Sequence, residues 1–273
     1  MVNARESSVL IDSHCHLDAP EFDTDRDRVV AAAGTAGLVQ LVVPSVGAAM
    51  FEGTRRMRER YGCAVAYGLH PLYIAEHRDE HLALLADWLV REPAVAVGEI
   101  GLDFYVPGLD PVRQVDVFEA QLRLARDLDL PVIVHIRRSQ DQVLKYLRKW
   151  RVRGGIAHAF NGSVQQAEAF MALGFKLGFG GAMTYSGSQR IRRLAAELPL
   201  DAIVLETDAP DIPPAWLAGP PPGRNAPDQL PRIAAELAGL RGVAVDAVLA
   251  ATASSVQAVL GPLGRMHEAG HPA

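Results

Sequence analysis

Eight short runs of β-branched and apolar residues recur along this chain: Val9–Ile11, Val39–Val43, Ala64–Leu69, Ala94–Val97, Val132–Val134, Gly155–Ala157, Phe175–Phe179 and Ala202–Leu205. Each begins roughly 20 to 40 residues after the one before, the length of a strand plus a returning helix, which is how a chain joins parallel strands. Helix signals fill the gaps. Asp110-Pro111 reads as an N-cap followed by a proline in the first helical position, with Val115, Phe118 and Leu122 on one face. Ser163-Val-Gln-Gln166 is a capping box closed by Gly174, and Asn225 with Pro227 opens a further helix. Eight such units predict a (β/α)8 TIM barrel, with a doubly wound open sheet as the competitor that shares the alternation. No linker, repeat or composition shift divides the 273 residues. A single domain over 9–261 is expected, with 1–8 and 262–273 as flexible termini and Ile212–Pro227 as a long loop after the last strand.

Composition narrows the function classes. With 49% apolar and 22% charged residues the chain has an ordinary globular balance, which excludes disorder, coiled coil and collagen. A net charge of −5 excludes a generally basic surface, so a nucleic acid would have to be held locally, by a few arginines or by bound metal. Val29–Phe51 has no charged residue and the length of a membrane span, but Thr35, Gln40, Pro44 and Ser45 interrupt it. It reads as a helix end, a turn and a strand, so no membrane is expected. Cys15 and Cys63 cannot form a disulfide framework and Met1–Ser8 lacks a secretory apolar run, so a cytoplasmic setting is expected. Nothing in the sequence calls for an obligate protein partner.

The residues that directly follow the strands carry the chemistry. His14 and His16 share one face of the extended Asp12-Ser-His-Cys-His16, able to reach a single cation, with Asp12 placed to accept the other ring N–H of a histidine. Glu99 follows the fourth strand, His135 the fifth, His158 the sixth, Glu206 and Asp208 the eighth. In a barrel all these ends meet at one mouth. Imidazoles and carboxylates crowded there cost several kcal/mol unless paired or ligated, which predicts a metal centre.

Seven blocks in order, Asp12-Ser-His-Cys-His16, Gly68-Leu-His-Pro71, Gly98-Glu-Ile-Gly-Leu-Asp103, Pro131-Val-Ile-Val-His135, His158-Ala-Phe-Asn-Gly162, Glu206-Thr-Asp-Ala-Pro210 and Arg224-Asn-Ala-Pro227, resemble the signatures of TatD-type metal-dependent deoxyribonucleases, in the pattern of the YjjV-like branch. The resemblance implies an amidohydrolase-like barrel with a divalent-metal centre, usually of two ions (Mg, Mn or Zn), that cleaves DNA, exonucleolytically. It implies that His14, His16 and Asp208 hold one ion, His135 and His158 the second, and that Glu99 bridges them. Asp208 and Glu99 are the expected catalytic residues; Asp12 and Glu206 are expected behind the ligands. His70, Arg137, Arg224 and Asn225 are the candidate substrate contacts. Two positions depart from the family: Ala159 stands where many relatives have Cys, and Ile136-Arg137-Arg138 where Thr-Arg-Asp is common. The second changes the charge beside the substrate. The same site acting on a small phosphoester, amide or lactone is the alternative, and a metal-binding barrel without catalysis a third, which a missing ligand would mark.

Other conspicuous residues are given plainer readings. Cys15 is expected in the core, and Gly178-Phe-Gly180-Gly181 serves either phosphate binding or close packing. Arg190, Arg192 and Arg193 read as a solvated helix face, Trp88 and Trp150 as core, and Trp216 and Tyr185 as mouth residues able to stack on a base. His77 and His81 are expected on a solvated helix, and His267 and His271 in the tail.

Overall fold

The computed structural model describes residues 9–267. Eight strands run in parallel and pair in sequence order: β1 (Leu10–Asp12), β2 (Leu38–Pro44), β3 (Ala64–Tyr67), β4 (Ala96–Asp103), β5 (Val132–Arg137), β6 (Gly155–Ala157), β7 (Phe175–Phe179) and β8 (Ile203–Leu205). The helices between them are α1 (Arg26–Thr35), α2 (Phe51–Tyr61), α3 (Asp79–Arg91), α4 (Pro111–Asp127), α5 (Gln140–Trp150), α6 (Val164–Ala172) and α7 (Gln189–Glu197), and α8 (Leu230–Arg241) and α9 (Val245–Leu260) follow β8. This is a (β/α)8 barrel. The uncharged stretch Val29–Phe51 divides into the end of α1, β2 and a 3-10 turn, and no single helix among the described residues is long and apolar enough to cross a membrane.

Strand alternation sorts the side chains into two layers. Ile11, Val42, Ala64, Ala66, Ala96, Ile133, Ile156 and Val204 form the interior, closed from below by Ala253, Val256, Val259 and Leu260 of α9. Their neighbours Leu10, Leu41, Val43, Val65, Val97, Val132, Val134, Ile203 and Leu205 face the helices. The alanines among the interior residues leave room for the branched side chains. Local chemistry fixes the helix starts: Asp110 Oδ1 accepts from the backbone N–H groups of Val112 and Arg113 at 2.9 and 3.1 Å, and the Ser163–Gln166 box forms in both directions.

Alternation also decides what reaches the mouth. His135 lies two residues beyond interior Ile133, His158 two beyond Ile156, and Glu206 two beyond Val204. Strand β4 would fail by the same count, since Glu99 shares the phase of the outward Val97. The register shifts between Val97 and Ile100, which pair with Val132 and Val134, so β4 carries one extra residue. That bulge turns Glu99 inward and puts Ile100 and Leu102 in the helix-facing layer. Strands β4 and β5 run on to Asp103 and Arg137, past the ends expected from their apolar runs, because the two stay paired through the polar residues.

No ladder joins β8 to β1 among the described residues. The seam is stitched by Ser13 N–H to the Leu205 carbonyl (2.9 Å), by Asp208 N–H to the His14 carbonyl (2.9 Å), and by Asp12, whose carboxylate accepts from the Thr207 N–H (3.0 Å) and hydroxyl (2.6 Å).

The tail expectation needs correction. Residues 1–8 and 268–273, with His271, lie outside the described residues, but 262–267 are held in place. Met266 N–H donates to the Val39 carbonyl at 2.9 Å and His267 N–H to that of Tyr61 at 2.8 Å. Buried Gln40 secures this segment. Its amide donates to Gly62 and Gly264 carbonyls (3.1 and 2.9 Å) and its oxygen accepts from Leu41 and Ala64 N–H (2.7 and 3.1 Å). Gln40→Leu strands two buried N–H donors, and should lower the unfolding free energy by about 2–4 kcal/mol, read from a lower denaturation midpoint at unchanged slope. An unaltered midpoint would show that water replaces these bonds without cost.

Candidate metal centre

Four atoms from three parts of the barrel converge at the mouth. His14 Nε2 lies 3.3 Å from His16 Nε2, 3.2 Å from Glu99 Oε2 and 3.5 Å from Asp208 Oδ1; His16 Nε2 lies 3.5 and 3.6 Å from the same two oxygens. A tetrahedral cation with ligands at about 2.0–2.1 Å requires donors about 3.3–3.4 Å apart, so the quartet already has the spacing of a ligand shell. At most one proton fits between two imidazole nitrogens, and neither His14 Nδ1 nor His16 Nδ1 has a hydrogen-bond partner. A cation satisfies what the protein's own groups cannot.

Glu99, 1% exposed, presents its two oxygens to different neighbours. Oε2 faces His14 and His16, while Oε1 lies 3.2 Å from His135 Nδ1 and 3.2 Å from His70 Nε2. His158 stacks on His14 with ring centres 3.8 Å apart and turns Nε2 toward Asp208 Oδ1 at 3.7 Å. The structure thus groups His14, Glu99 and His158 on one side and His70, Glu99 and His135 on the other. It does not bring His135 and His158 into one such group; their ring centres are 6.4 Å apart.

A hydrogen bond behind His135 fixes its tautomer. His135 Nε2 donates to Asp103 Oδ2 at 3.0 Å, which leaves Nδ1 with its lone pair toward Glu99. His158 Nδ1 lies 3.1 Å from Glu206 Oε1, an oxygen that also accepts the Ala159 N–H at 2.6 Å, and makes no hydrogen bond of its own. His70 is the opposite case to His135. Its Nδ1 accepts the Leu72 N–H at 3.2 Å, so in the neutral ring Nε2, 3.2 Å from Glu99 Oε1, carries the proton and offers a cation no lone pair.

Burial and charge act against each other across the group. Burial raises Asp208 to about 7 and lowers His70 to about 4, and it takes His14 well below the ordinary histidine value. For His16 and His158 burial also pulls down, but the carboxylates outweigh it: Glu99 and Asp208 lift His16 to about 9, and Glu206 and Asp208 lift His158 to about 10. Burial works to raise Glu99, yet the surrounding imidazoles hold it ionised, well below the ordinary carboxyl range.

Several expectations need correction. Asp12 takes no ring N–H. It accepts the backbone N–H of His14 at 3.2 Å and closes the barrel seam, because the chain after β1 turns its carboxylate toward Thr207. Arg224 lies away from the mouth, paired with Asp25 at 2.9 and 2.7 Å and bonded to the Glu21 carbonyl. Buried Asn225 neither caps a helix nor lines the cleft, since its amide donates to the Thr207 and Asp211 carbonyls at 2.8 and 2.6 Å. His77 is buried, bonded to the His70 carbonyl at 2.9 Å; His81 borders the cleft with its Nδ1 toward the Arg78 N–H. Trp216 and Tyr185 are committed to Gln229 and the Pro213 carbonyl. The glycines at the end of β7 serve packing, as a Cβ on Gly178, within the strand, would sit 2.2 Å from Glu206 Oε2 and one on Gly180, just after it, 2.5 Å from the Glu206 carbonyl oxygen. Arg192 pairs with Glu236, whereas Arg190 borders the cleft. Cys15 is in the core, and Arg137 lines the mouth.

Two residues of the site escape a reading of the sequence. Asp103, the partner of His135, is signalled by strand phase, four residues beyond Glu99 on the same face, but only once the bulge is known. Tyr105 follows β4 and stands exposed at the cleft edge, and nothing in its sequence surroundings distinguishes it from a loop tyrosine.

A family model described as TatD-related DNase matches residues 11–261. An uncharacterized metal-dependent hydrolase, YjjV of Escherichia coli K12, is 42% identical over 244 residues, covering 87% of this chain and 92% of that protein. The 3'-5' ssDNA/RNA exonuclease TatD of Erwinia amylovora is 33% identical over 258 residues, covering 92% of this chain and 100% of that protein. Among solved structures, the crystal structure of the E. coli K12 TatD homologue YjjV superposes with a TM-score of 0.88 at 38% identity, over 92% of this chain and 97% of that one. A TatD-family hydrolase from Entamoeba histolytica shares the fold, with a TM-score of 0.78 at 18% identity over 91% and 96%.

The raised values of His16 and His158 set the pH dependence of metal uptake. Below about 9 their protons compete with a cation, so apparent affinity should rise as pH rises from about 6 to about 9, and loading at neutral pH should release protons. Calorimetric titration in buffers of differing ionisation enthalpy measures the release. Uptake that is independent of pH, with no proton released, would remove both imidazoles from the ligand set.

Proposed function

Since the chain belongs to the TatD-related DNase family and is a metal-dependent hydrolase, we propose that it hydrolyses phosphodiester bonds of DNA, removing nucleotides from a strand end. The convergence of His14, His16, Glu99 and Asp208 at ligand spacing carries this reading. The cleft above them supports a polymeric substrate: its volume of ≈ 1860 Å3 exceeds the about 300–1,000 Å3 of a small-molecule pocket. The exonuclease name of the Erwinia relative points the same way.

In this reading His14, His16 and Asp208 would hold one divalent ion and His135 and His158 would hold a second, for which their rings, 6.4 Å apart, would have to draw together; Glu99 would serve both ions. Mg, Mn and Zn are the candidates, the imidazoles favouring Mn or Zn and the carboxylates Mg or Mn. Bound there, a divalent ion supplies Lewis acidity and brings the pKa of water toward neutrality. The protein's own groups do the rest. Asp208, at the floor of the cleft, orients the attacking water and accepts its proton. Asp103 keeps His135 in the tautomer that presents its Nδ1 lone pair, and Glu206 places its charge beside His158. His70 donates its Nε2–H to Glu99 or to a phosphoryl oxygen, and Arg137 offers its guanidinium to phosphate.

The test is metal-stripped protein given Mg, Mn or Zn singly, with a single-stranded oligonucleotide beside a small diester, a carboxylic ester, an amide and a lactone. Stepwise shortening of the oligonucleotide is expected, and Glu99→Ala and Asp208→Asn should each reduce the rate at least about 100-fold with the fold retained. Full activity in Glu99→Ala would end the shared-carboxylate assignment. Turnover of a small substrate with an intact oligonucleotide would keep the site and replace DNA as the substrate.

A further inference from the structure

The charges around the cleft are segregated. Because the strands follow sequence order around the barrel, β8, β1, β2 and β3 make one half of the mouth and β4 to β7 the other. Acidic Asp18 and Glu21, after β1, Glu76, after β3, and Asp211, after β8, border the first half, where Arg78 is paired with Glu80 at 2.7 Å. The other half is bordered by Arg137, Arg138 and Arg190, none of them in an ion pair among the described residues. A polyanion crossing this mouth is repelled on one side and received on the other.

Arg137 and Arg138 are organised as well as unpaired. Their guanidinium carbons lie 3.9 and 4.7 Å from the ring centre of Tyr105, which is 47% exposed. Cation–π contact of this kind restrains two long side chains without consuming their N–H donors. Tyr105 is itself anchored, for its N–H and that of Val106 donate to Asp103 Oδ1 at 2.8 and 3.0 Å. Asp103 Oδ2 accepts from His135, so one carboxylate spans the metal centre and the arginine pair. Arg137 stands two residues beyond His135 on the same strand face, about 6.6 Å further out along the cleft. Arg138 has φ +54°, a left-handed conformation that suits Asp or Asn and costs energy for arginine.

We propose that Arg137 and Arg138, held over Tyr105, form a receptor for the non-scissile phosphate next to the cleavage site, so that a single strand leaves the centre over β4 to β7. The proposal rests on the DNA reading above and adds to it a subsite and a direction. Arg138 and Tyr105 act on substrate binding; the reacting phosphate belongs to the metal centre.

A charge-deletion cycle tests it. Two oligonucleotides are compared, one normal and one with a neutral methylphosphonate replacing the phosphate adjacent to the scissile bond, on either side in turn. In wild-type protein the neutral linkage on one side should raise KM roughly five- to tenfold, with a smaller effect on kcat. Arg138→Asp, which the left-handed backbone favours, should raise KM similarly for the normal strand and make it insensitive to the replacement. Tyr105→Leu should behave likewise and Tyr105→Phe should restore binding, since only the ring is needed. Fluorescence anisotropy of the oligonucleotide in chelator gives a second readout: the slope of log Kd against log salt should fall by about 0.7 in Arg138→Asp, the share of one phosphate neutralised on a single strand. Melting curves check the fold, and Arg138→Gln with the wild-type methylphosphonate arm carries the test should Arg138→Asp not fold. Equal effects of the neutral linkage in wild type and variant, or none in either, overturn the subsite while cleavage of DNA stands. A wild-type protein that hydrolyses an aryl phosphodiester but neither binds nor cleaves the oligonucleotide overturns both.

Discussion

Everything at the mouth depends on keeping the Glu99 carboxylate ionised where almost no water reaches it. Burial alone pushes such a group toward the neutral acid, and the protein answers by placing His14, His16, His70 and His135 against its two oxygens. Those imidazoles require positions of their own, from β1, β3 and β5, with His158 of β6 stacked behind. A barrel supplies these positions because it brings the ends of distant strands to one place. The crowded polar centre and the apolar lumen below it, from Ile11 to Val204, are therefore complementary: the lumen sets the spacing and the centre uses it.

How much is legible in the sequence follows from strand phase. His135 and His158 sit two places beyond interior residues, so alternation along an unbroken strand finds them. Glu99 is reached only through a bulge that no apolar run announces, and its inclusion among the ligands rests on its place after a strand and on the family pattern. The neighbours at 224 and 225 show the converse. Arg224-Asn-Ala-Pro227 reads like part of the site, yet nearby acceptors, Asp25 for the guanidinium and the Thr207 and Asp211 carbonyls for the amide, engage both side chains. Sequence registers residue types, but the partner that claims a side chain first is set by loops whose paths it does not encode in any short pattern.

The same limit explains His70. A histidine within reach of Glu99 and His135 has the appearance of a ligand, and only the Leu72 N–H behind it shows that the facing nitrogen carries a proton. The loop that makes this bond begins at Pro71, so a turn chosen for backbone reasons determines whether an imidazole gives or receives. Asp103 illustrates the same economy. One oxygen sets the tautomer of His135, the other fixes the Tyr105 loop, and the edge of the cleft is thereby tied to its floor.

The seam between β8 and β1 has a wider consequence. Elsewhere neighbouring strands are joined by ladders, while here the closure runs through Asp12, Ser13, His14 and His16 on one side and Leu205, Thr207, Asp208 and Ala209 on the other, residues that carry or adjoin the ligands. Any group that binds across His14, His16 and Asp208 therefore fastens the cylinder at the place where no strand ladder closes it. Occupancy of the site and resistance of the fold to amide exchange and proteolysis at Ser13 and Thr207 become a single thermodynamic quantity.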